Sequence, residues 1–185
     1  MTTIEPVRLD TRRVYSGHVI NVDRDTIRTP TGSTLQLEMV RHPGAAAIVP
    51  ILDDPTGPDP SVLLIEQYRY AANGRIWEIP AGVLEPGERP EDAAHRELRE
   101  ETGATAGRME HLTTVFTTPG FTDERIHLFM ASDIAAGEAH LAGDEFLRPE
   151  ARPMSEILGM IRDQRIVDAK SIVALLYVAG YRLGR

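Results

Sequence analysis

The chain has 185 residues, which is the length of one domain or of one domain with a small added element. Its 42% apolar and 26% charged residues exclude a disordered chain, a collagen and a membrane protein. The formal net charge of −8 argues against nucleic acid as a partner, and the lack of cysteine excludes disulfides and thiolate metal sites. We expect no signal peptide and no membrane partner, and we predict a cytoplasmic protein.

Residues 11–41 partly alternate apolar and polar residues, a pattern that indicates antiparallel strands. Two alternating runs, at 20–23 and 35–39, flank a turn at 29–33 that contains proline and glycine. We interpret residues 1–42 as a small antiparallel β unit. Because a hairpin of this size is marginal alone, we expect it to pack on the rest of the chain or on a second copy.

Residues 43–185 predict strands interleaved with a few helices. Strands are predicted at 45–52, 62–68, 77–80, 111–117 and 126–131. Helices are predicted at 90–102, at 155–166 and from Asp168 onward, with Pro90 opening the first and Gly103 ending it. This order is typical of an α+β protein whose mixed sheet lies between helices, an α/β/α sandwich.

Three glutamates, Glu97, Glu100 and Glu101, fall on one stripe of the first predicted helix, near its C-terminal end. Such a stripe is ordinarily a solvated acidic face. Here, however, the like charges repel one another, and they lie at the end of the helix dipole that disfavours acids. A glycine-containing loop after Pro80-Ala81 lets backbone carbonyls approach the same point. The arrangement therefore favours a site for a hard divalent cation such as Mg²⁺.

The segment 82–104 resembles a complete Nudix box. Its defining residues stand at the box spacing, which runs from Gly82 through Glu88 to the sequence RELREETG at 96–103. Only Ala104 is smaller than the apolar residue usual at the last position. The chain is therefore identified as a member of the Nudix hydrolase superfamily.

The segments that flank the box resemble the ADP-ribose pyrophosphatase group of this superfamily. They read EQYR at 66–69, WEIPAG at 77–82 and TPGFTDE at 118–124. The resemblance implies a Nudix fold over 43–185 and a homodimer in which residues 1–42 are exchanged between subunits.

The resemblance also implies a Mg²⁺-dependent hydrolase, for which Mn²⁺ can substitute. Its small-molecule substrate would be ADP-ribose, cleaved at the pyrophosphate to AMP and ribose 5-phosphate. The alternatives are GDP-mannose, another nucleotide sugar or a dinucleotide. A non-enzymatic alternative is a nucleotide-sugar sensor on a Nudix scaffold, which the intact box disfavours.

Family resemblance places metal on Glu97 and Glu101, assisted by Glu100 and the carbonyl of Ala81. It assigns Arg96 to pairing with a carboxylate of the box, and counts Glu100 and Arg96 among the catalytic residues. The alternative for Arg96 is an exposed helix arginine.

The general base in this family commonly lies on a loop before the penultimate helix, which here is the segment 137–149. Asp144 and Glu145 are the acidic pair of that loop. We favour Glu145 as base, metal ligand or both, and Asp144 remains the rival.

Five residues are candidates for binding substrate: Arg69, Trp77, Arg41, Arg28 and Pro119. A guanidinium at Arg69 suits a phosphate, although an ordinary ion pair is the alternative. Trp77 is the single tryptophan, and it suits either the core or a stacking platform for a base. Arg28 and Arg41 belong to the N-terminal unit and could reach a partner's site.

Overall fold

The computed structural model describes residues 5–137 and 147–183, which divide into two compact units. The first unit comprises the chain up to Gly44 together with Phe116–Arg125. The second comprises Ala45–Val115 and the chain from Ile126 onward. Nothing in the sequence pattern had assigned the segment 116–125 to the first unit.

The first unit contains an antiparallel sheet of three strands. They are β1 (Val7–Ser16), β2 (Asn21–Arg28) and β3 (Thr34–Arg41), in the order β1-β2-β3. Gly32, at φ +88°, forms the turn between β2 and β3. The expected antiparallel unit is confirmed. Strand β1 was not predicted separately, because its run of exposed and charged residues lacks a clear period of two.

Seven further strands within the described part of the chain build two sheets. They are β4 (Ala45–Pro50), β5 (Ser61–Arg69), β6 (Gly74–Glu78), β7 (Ala81–Val83), β8 (Thr105–Phe116), β9 (Arg125–Ala135) and β10 (Leu147–Pro153). One sheet has the order β7-β4-β9-β8, and it is mixed because β4 pairs in parallel with β9 and antiparallel with β7. The other has the order β10-β5-β6 and is antiparallel.

Helices cover both faces of the mixed sheet. They are α1 (Pro90–Thr102), α2 (Met154–Arg162) and α3 (Ala169–Tyr177), with a short π-helical turn after α3. Successive residues of a strand point to opposite faces. In β4, Ala46 and Ile48 accordingly join a core with α1, whereas Ala47 and Val49 join a larger core with α2 and α3. The predicted α/β/α sandwich is confirmed.

The helix ends follow local chemistry. Pro90 opens α1, and Gly103 ends it in the left-handed region at φ +72°. Asp168 caps α3 by accepting a hydrogen bond from the backbone N–H of Ser171 at 2.9 Å. Helix α2 ends four residues before its predicted end, because Gln164 turns the chain at φ +61°. Among the described residues, no helix is long and apolar enough to span a membrane.

Candidate active site

Two of the three clustered glutamates face inward from α1. Glu97 is 8% exposed and Glu101 is 2% exposed, whereas the side chain of Glu100 is 40% exposed. Burying a carboxylate is unfavourable unless it is hydrogen-bonded or paired. The predicted acidic stripe thus becomes two buried carboxylates, with a third at their solvent edge.

Strand β7 brings its backbone against these two carboxylates. The N–H of Ala81 donates to Oε2 of Glu101 at 2.9 Å. A Cβ added at Gly82 would lie 1.9 Å from Oε1 of Glu97, which is far inside van der Waals contact. Only a glycine at position 82 therefore lets the Glu97 carboxylate take its place beside the strand.

Arg96 joins the carboxylates of the box. It donates from Nε and Nη2 to the two oxygens of Glu88, each at 2.8 Å, and from Nη2 to the carbonyl of Val83 at 3.1 Å. Its Nη1 donates to Glu97 at 2.5 Å and to Glu100 at 3.2 Å. These hydrogen bonds hold the pKa of Glu88 below its ordinary value and raise the pKa of Arg96. The pairing expected for Arg96 is present.

A hard divalent cation at this site would need several oxygen donors close together. Within residues 5–137 and 147–183, no group of three or more acidic or histidine side chains is arranged to hold a metal ion. The donors that do meet are the carboxylates of Glu97 and Glu101 beside the backbone of Ala81. Hard divalent cations take such oxygens and complete their coordination with water and phosphate. The residues present fit such a cation.

Arg69, a candidate for substrate binding, forms an ion pair within the chain. Its Nε and Nη2 donate to the two oxygens of Glu78 at 2.8 and 2.9 Å, and Lys170 also donates to Glu78. Burial raises the pKa of Glu78, but the two cations outweigh it and lower that pKa overall. Hydrogen bonding to Glu78 raises the pKa of Arg69, as does the charge of Glu101 to a smaller degree. Arg69 therefore stays positively charged, and it lies close enough to Glu101 for the two charges to interact.

Trp77 lies half-buried on β6 against the larger core. The guanidinium carbon of Arg152 stands 4.9 Å from the centre of its ring, in a cation–π arrangement. The structure therefore accounts for Trp77 by packing, and a stacking role toward a base stays a prediction.

The two arginines expected from the N-terminal unit lie on opposite faces of its sheet. Arg41 donates to Asp23 at 3.1 Å, to Asp123 at 3.2 Å and to Asp25. The register between β2 and β3 runs without a break, so that side chains alternate faces regularly. Arg28, which pairs with Thr34, consequently points away from the face that carries Arg41.

The remaining predicted site residues are Pro119, Glu145 and Asp144. Pro119 is exposed in the segment between β8 and β9. Glu145 and Asp144 lie outside the described residues, so the choice between them as base stays a prediction.

Sequence reasoning did not single out three residues that contact this region. They are Glu78, Lys170 and Ser171, which belong to β6 and to the first turn of α3. Glu78 lies in the quoted segment WEIPAG without a role assigned to it, and the sequence signal near Lys170 and Ser171 is the cap residue Asp168. A cap predicts where a helix starts but not which distant strand its first turn will contact.

Comparisons with known proteins show what this chain is similar to. A model of the NUDIX domain matches residues 41–174. The chain is 39% identical over 176 residues to a methanol dehydrogenase activator of Bacillus methanolicus, covering 94% of this chain and 92% of the relative. It is 34% identical over 180 residues to an ADP-ribose pyrophosphatase of Bacillus subtilis, covering 96% and 95%. A crystal structure of an ADP compounds hydrolase shares the fold, with a TM-score of 0.83 at 20% identity over 100% of this chain and 97% of the other.

Proposed function

The chain belongs to the NUDIX domain family, and from that premise we propose that it hydrolyses ADP-ribose at the pyrophosphate to AMP and ribose 5-phosphate. The observation that carries the proposal is the burial of the Glu97 and Glu101 carboxylates against the backbone of Ala81 and Gly82. The similarity to an ADP-ribose pyrophosphatase over nearly the whole chain supports the choice of substrate.

The reaction depends on a divalent cation, which we propose to be Mg²⁺, with Mn²⁺ as a substitute. Glu97, Glu101 and the carbonyl of Ala81 would hold it, with Glu100 at the solvent edge. When bound, such a cation neutralises the charge of the pyrophosphate and makes water a better nucleophile. The protein supplies a fixed set of oxygen donors, and the burial of two of them strengthens their electrostatic interactions.

Three residues outside this set of oxygen donors have separate roles. Arg96 holds Glu88, Glu97 and Glu100 in place through its hydrogen bonds. Arg69 stays charged and is oriented by Glu78, so that it can attract a phosphate of the substrate. Glu145 would accept the proton of the attacking water, as the resemblance implies.

The proposed assembly is a homodimer in the cytoplasm that exchanges residues 1–42. In this arrangement, the arginine that faces the partner's site would be either Arg28 or Arg41, because the two lie on opposite faces of one sheet. Substituting each by alanine and measuring KM for ADP-ribose identifies which one contributes.

The proposed activity is tested by turnover of ADP-ribose, ADP-glucose, GDP-mannose and a flavin dinucleotide, each with Mg²⁺, with Mn²⁺ and with chelator. Products are resolved by anion-exchange chromatography. We expect the highest kcat/KM for ADP-ribose, with AMP and ribose 5-phosphate as the only products and no turnover in chelator. Faster cleavage of GDP-mannose would support the nucleotide-sugar alternative, and binding of ADP-ribose without turnover would support the sensor.

A pair of variants on one helix tests the carboxylates. Glu101→Gln removes a buried charge, so it should weaken cation binding and lower turnover together. Glu91→Gln is the matched control, because Glu91 is an exposed acid in the first turn of the same helix, paired with Arg89. Equal activity of the two variants would remove Glu101 from the site.

A further inference from the structure

The chain changes sheets between β6 and β7, immediately before the candidate metal-binding carbonyl. Ile79 and Pro80 make this crossing, and both are buried. The carbonyl of Pro80 accepts a hydrogen bond from the N–H of Ile48 at 2.9 Å, but proline has no N–H to donate. The N–H groups on either side of it, at Ile79 and Ala81, therefore need other acceptors, above all at Ile79, which is fully buried.

Side chains from two helices accept those two N–H groups. Ala81 donates to Glu101 on α1 at 2.9 Å, and Ile79 donates to Oγ of Ser171 on α3 at 2.9 Å. Ser171 is fully buried, as is Ile79. Ser171 thus does for Ile79 what Glu101, a candidate metal ligand, does for Ala81.

The hydroxyl of Ser171 has one fixed orientation. It donates to a carboxylate oxygen of Asp168 at 2.6 Å, and that same oxygen accepts the backbone N–H of Ser171 at 2.9 Å. A hydroxyl has a single proton. Because Asp168 takes that proton, the lone pairs of Ser171 are left to accept the N–H of Ile79.

The same turn of α3 also holds the residue before Ile79. Lys170 donates to Glu78 and lies 3.0 Å from a carboxylate oxygen of Asp168. Glu78 in turn orients Arg69. The first turn of α3 therefore holds two consecutive residues, Glu78 through an ion pair and Ile79 through a hydroxyl.

We propose that Ser171 is a positioning residue for the cation site. It acts on Ala81 through Ile79 and Pro80, the two residues of the crossing. Proline at position 80 fixes one backbone angle, so a displacement of Ile79 is passed to Ala81 instead of being absorbed between them. Ala81 carries both the candidate carbonyl ligand and the N–H that holds Glu101. This inference rests on the proposed function, since it concerns the cation of that reaction.

Ser171→Ala tests the inference, because it removes the hydroxyl with little change in volume. The readout is the Mg²⁺ concentration that gives half of the full rise in melting temperature, measured without substrate. We expect this midpoint to rise about tenfold, the factor that corresponds to one buried hydrogen bond. At saturating Mg²⁺, kcat should fall while KM for ADP-ribose stays within about twofold, because substrate binding by Arg69 is retained.

Ile157→Val is the matched control. Ile157 is fully buried on α2 in the core that also contains α3, and losing one methylene there costs about 1 kcal/mol. We expect a lower melting temperature in this variant with an unchanged Mg²⁺ midpoint. If Ser171→Ala behaves in the same way, Ser171 only stabilises the fold and the inference is overturned.

Two further outcomes are decisive. If the unsubstituted protein gains no stability from Mg²⁺ or Mn²⁺, the cation site of the proposed function fails, and the inference fails with it. If Ser171→Ala does not fold, Ser171→Cys replaces it, because a thiol fills the same place but is only a weak acceptor for the N–H of Ile79. A raised midpoint in Ser171→Cys supports the inference, and an unchanged midpoint overturns it.

Discussion

At the residue scale, Gly82 shows how a missing side chain shapes the site. Its Cα lies so close to Glu97 that any Cβ would overlap the carboxylate, and the nearest oxygen would stand only 1.9 Å away. Such an overlap can be relieved only by moving the carboxylate or the strand. The glycine that opens the box is therefore required by the packing of Glu97.

Gly82→Ala should displace the Glu97 carboxylate while the fold is kept. We expect turnover of ADP-ribose to fall by about 100-fold or more, as when a single electrostatic contact of a catalytic site is lost. Gly159→Ala is the control, because a Cβ at this position on α2 makes an ordinary contact at 3.9 Å. That variant should be fully active and slightly more stable, since alanine favours helix. Normal turnover in Gly82→Ala would contradict the placement of Glu97.

The ion pair between Glu88 and Arg96 gives a pH-dependent prediction. Hydrogen bonds from Arg96 keep the pKa of Glu88 below its ordinary value in the folded chain. The folded state therefore binds this proton less readily than the unfolded state does. The stability that Glu88 contributes is fully present above the ordinary carboxyl pKa, about 4.3, and is lost as pH falls through the lower folded value.

Glu88→Gln should accordingly lower the free energy of unfolding by about 2 kcal/mol near neutral pH, as expected for a hydrogen bond to a charged partner. The difference from the unsubstituted chain should shrink as pH falls from about 4.3 through the lower folded pKa of Glu88, because the carboxylate then takes up a proton and loses its charge. Urea unfolding in the presence of chelator measures both chains without a contribution from metal. A difference that stays constant down to about pH 3 would show that the charge of Glu88 is not its source.

At the scale of elements, prediction succeeds where local chemistry decides the conformation. Helix α1 runs from Pro90 to the residue before Gly103, as the sequence predicts, because a fixed φ opens it and a left-handed glycine closes it. The predicted end of α2 is wrong, because the chain turns at Gln164 in the left-handed region, where the sequence has no glycine to indicate such a turn. Strand β1 was missed because exposed residues on both faces give no alternation.

The same division holds within the candidate site. The sequence predicts that Glu97 and Glu101 lie together, because their spacing on one helix puts them on one face. The contact of Ser171 with Ile79 joins residues 92 positions apart, so that only the packed fold brings them together. The alternative weighed for Arg69, an ion pair, proved to be present, but its partner Glu78 could not be identified from spacing.

The end of α1 supplies a prediction for the element itself. Gly103 adopts φ +72°, and its N–H closes the helix on the carbonyl of Arg99 at 2.9 Å. Gly103→Ala should lower the free energy of unfolding by about 1 kcal/mol, because a Cβ is strained in this conformation. Thermal unfolding in chelator measures the loss. Unchanged stability would contradict the left-handed end of the helix.

At the scale of the whole molecule, the first unit exposes several large apolar side chains on its sheet. Leu35 is 48% exposed and Leu37 is 39% exposed, and both lie on the face of β3 that carries Arg41. Val7, Leu9 and Val14 of β1 are exposed as well. Neighbouring apolar side chains that remain exposed in a single chain are typical of an interface.

We therefore predict a homodimer that uses this face, with a mass twice the 20.5 kDa of one chain in sedimentation equilibrium. The double variant Leu35→Glu, Leu37→Glu should be monomeric, because placing charges in an apolar interface costs more than their exposure does in a free sheet. Leu176→Glu is the control, since Leu176 is 47% exposed on α3 and its substitution should leave the dimer intact. A double variant that stays dimeric would place the interface elsewhere, and an unsubstituted chain that is monomeric and active at nanomolar concentration would contradict the exchange of residues 1–42.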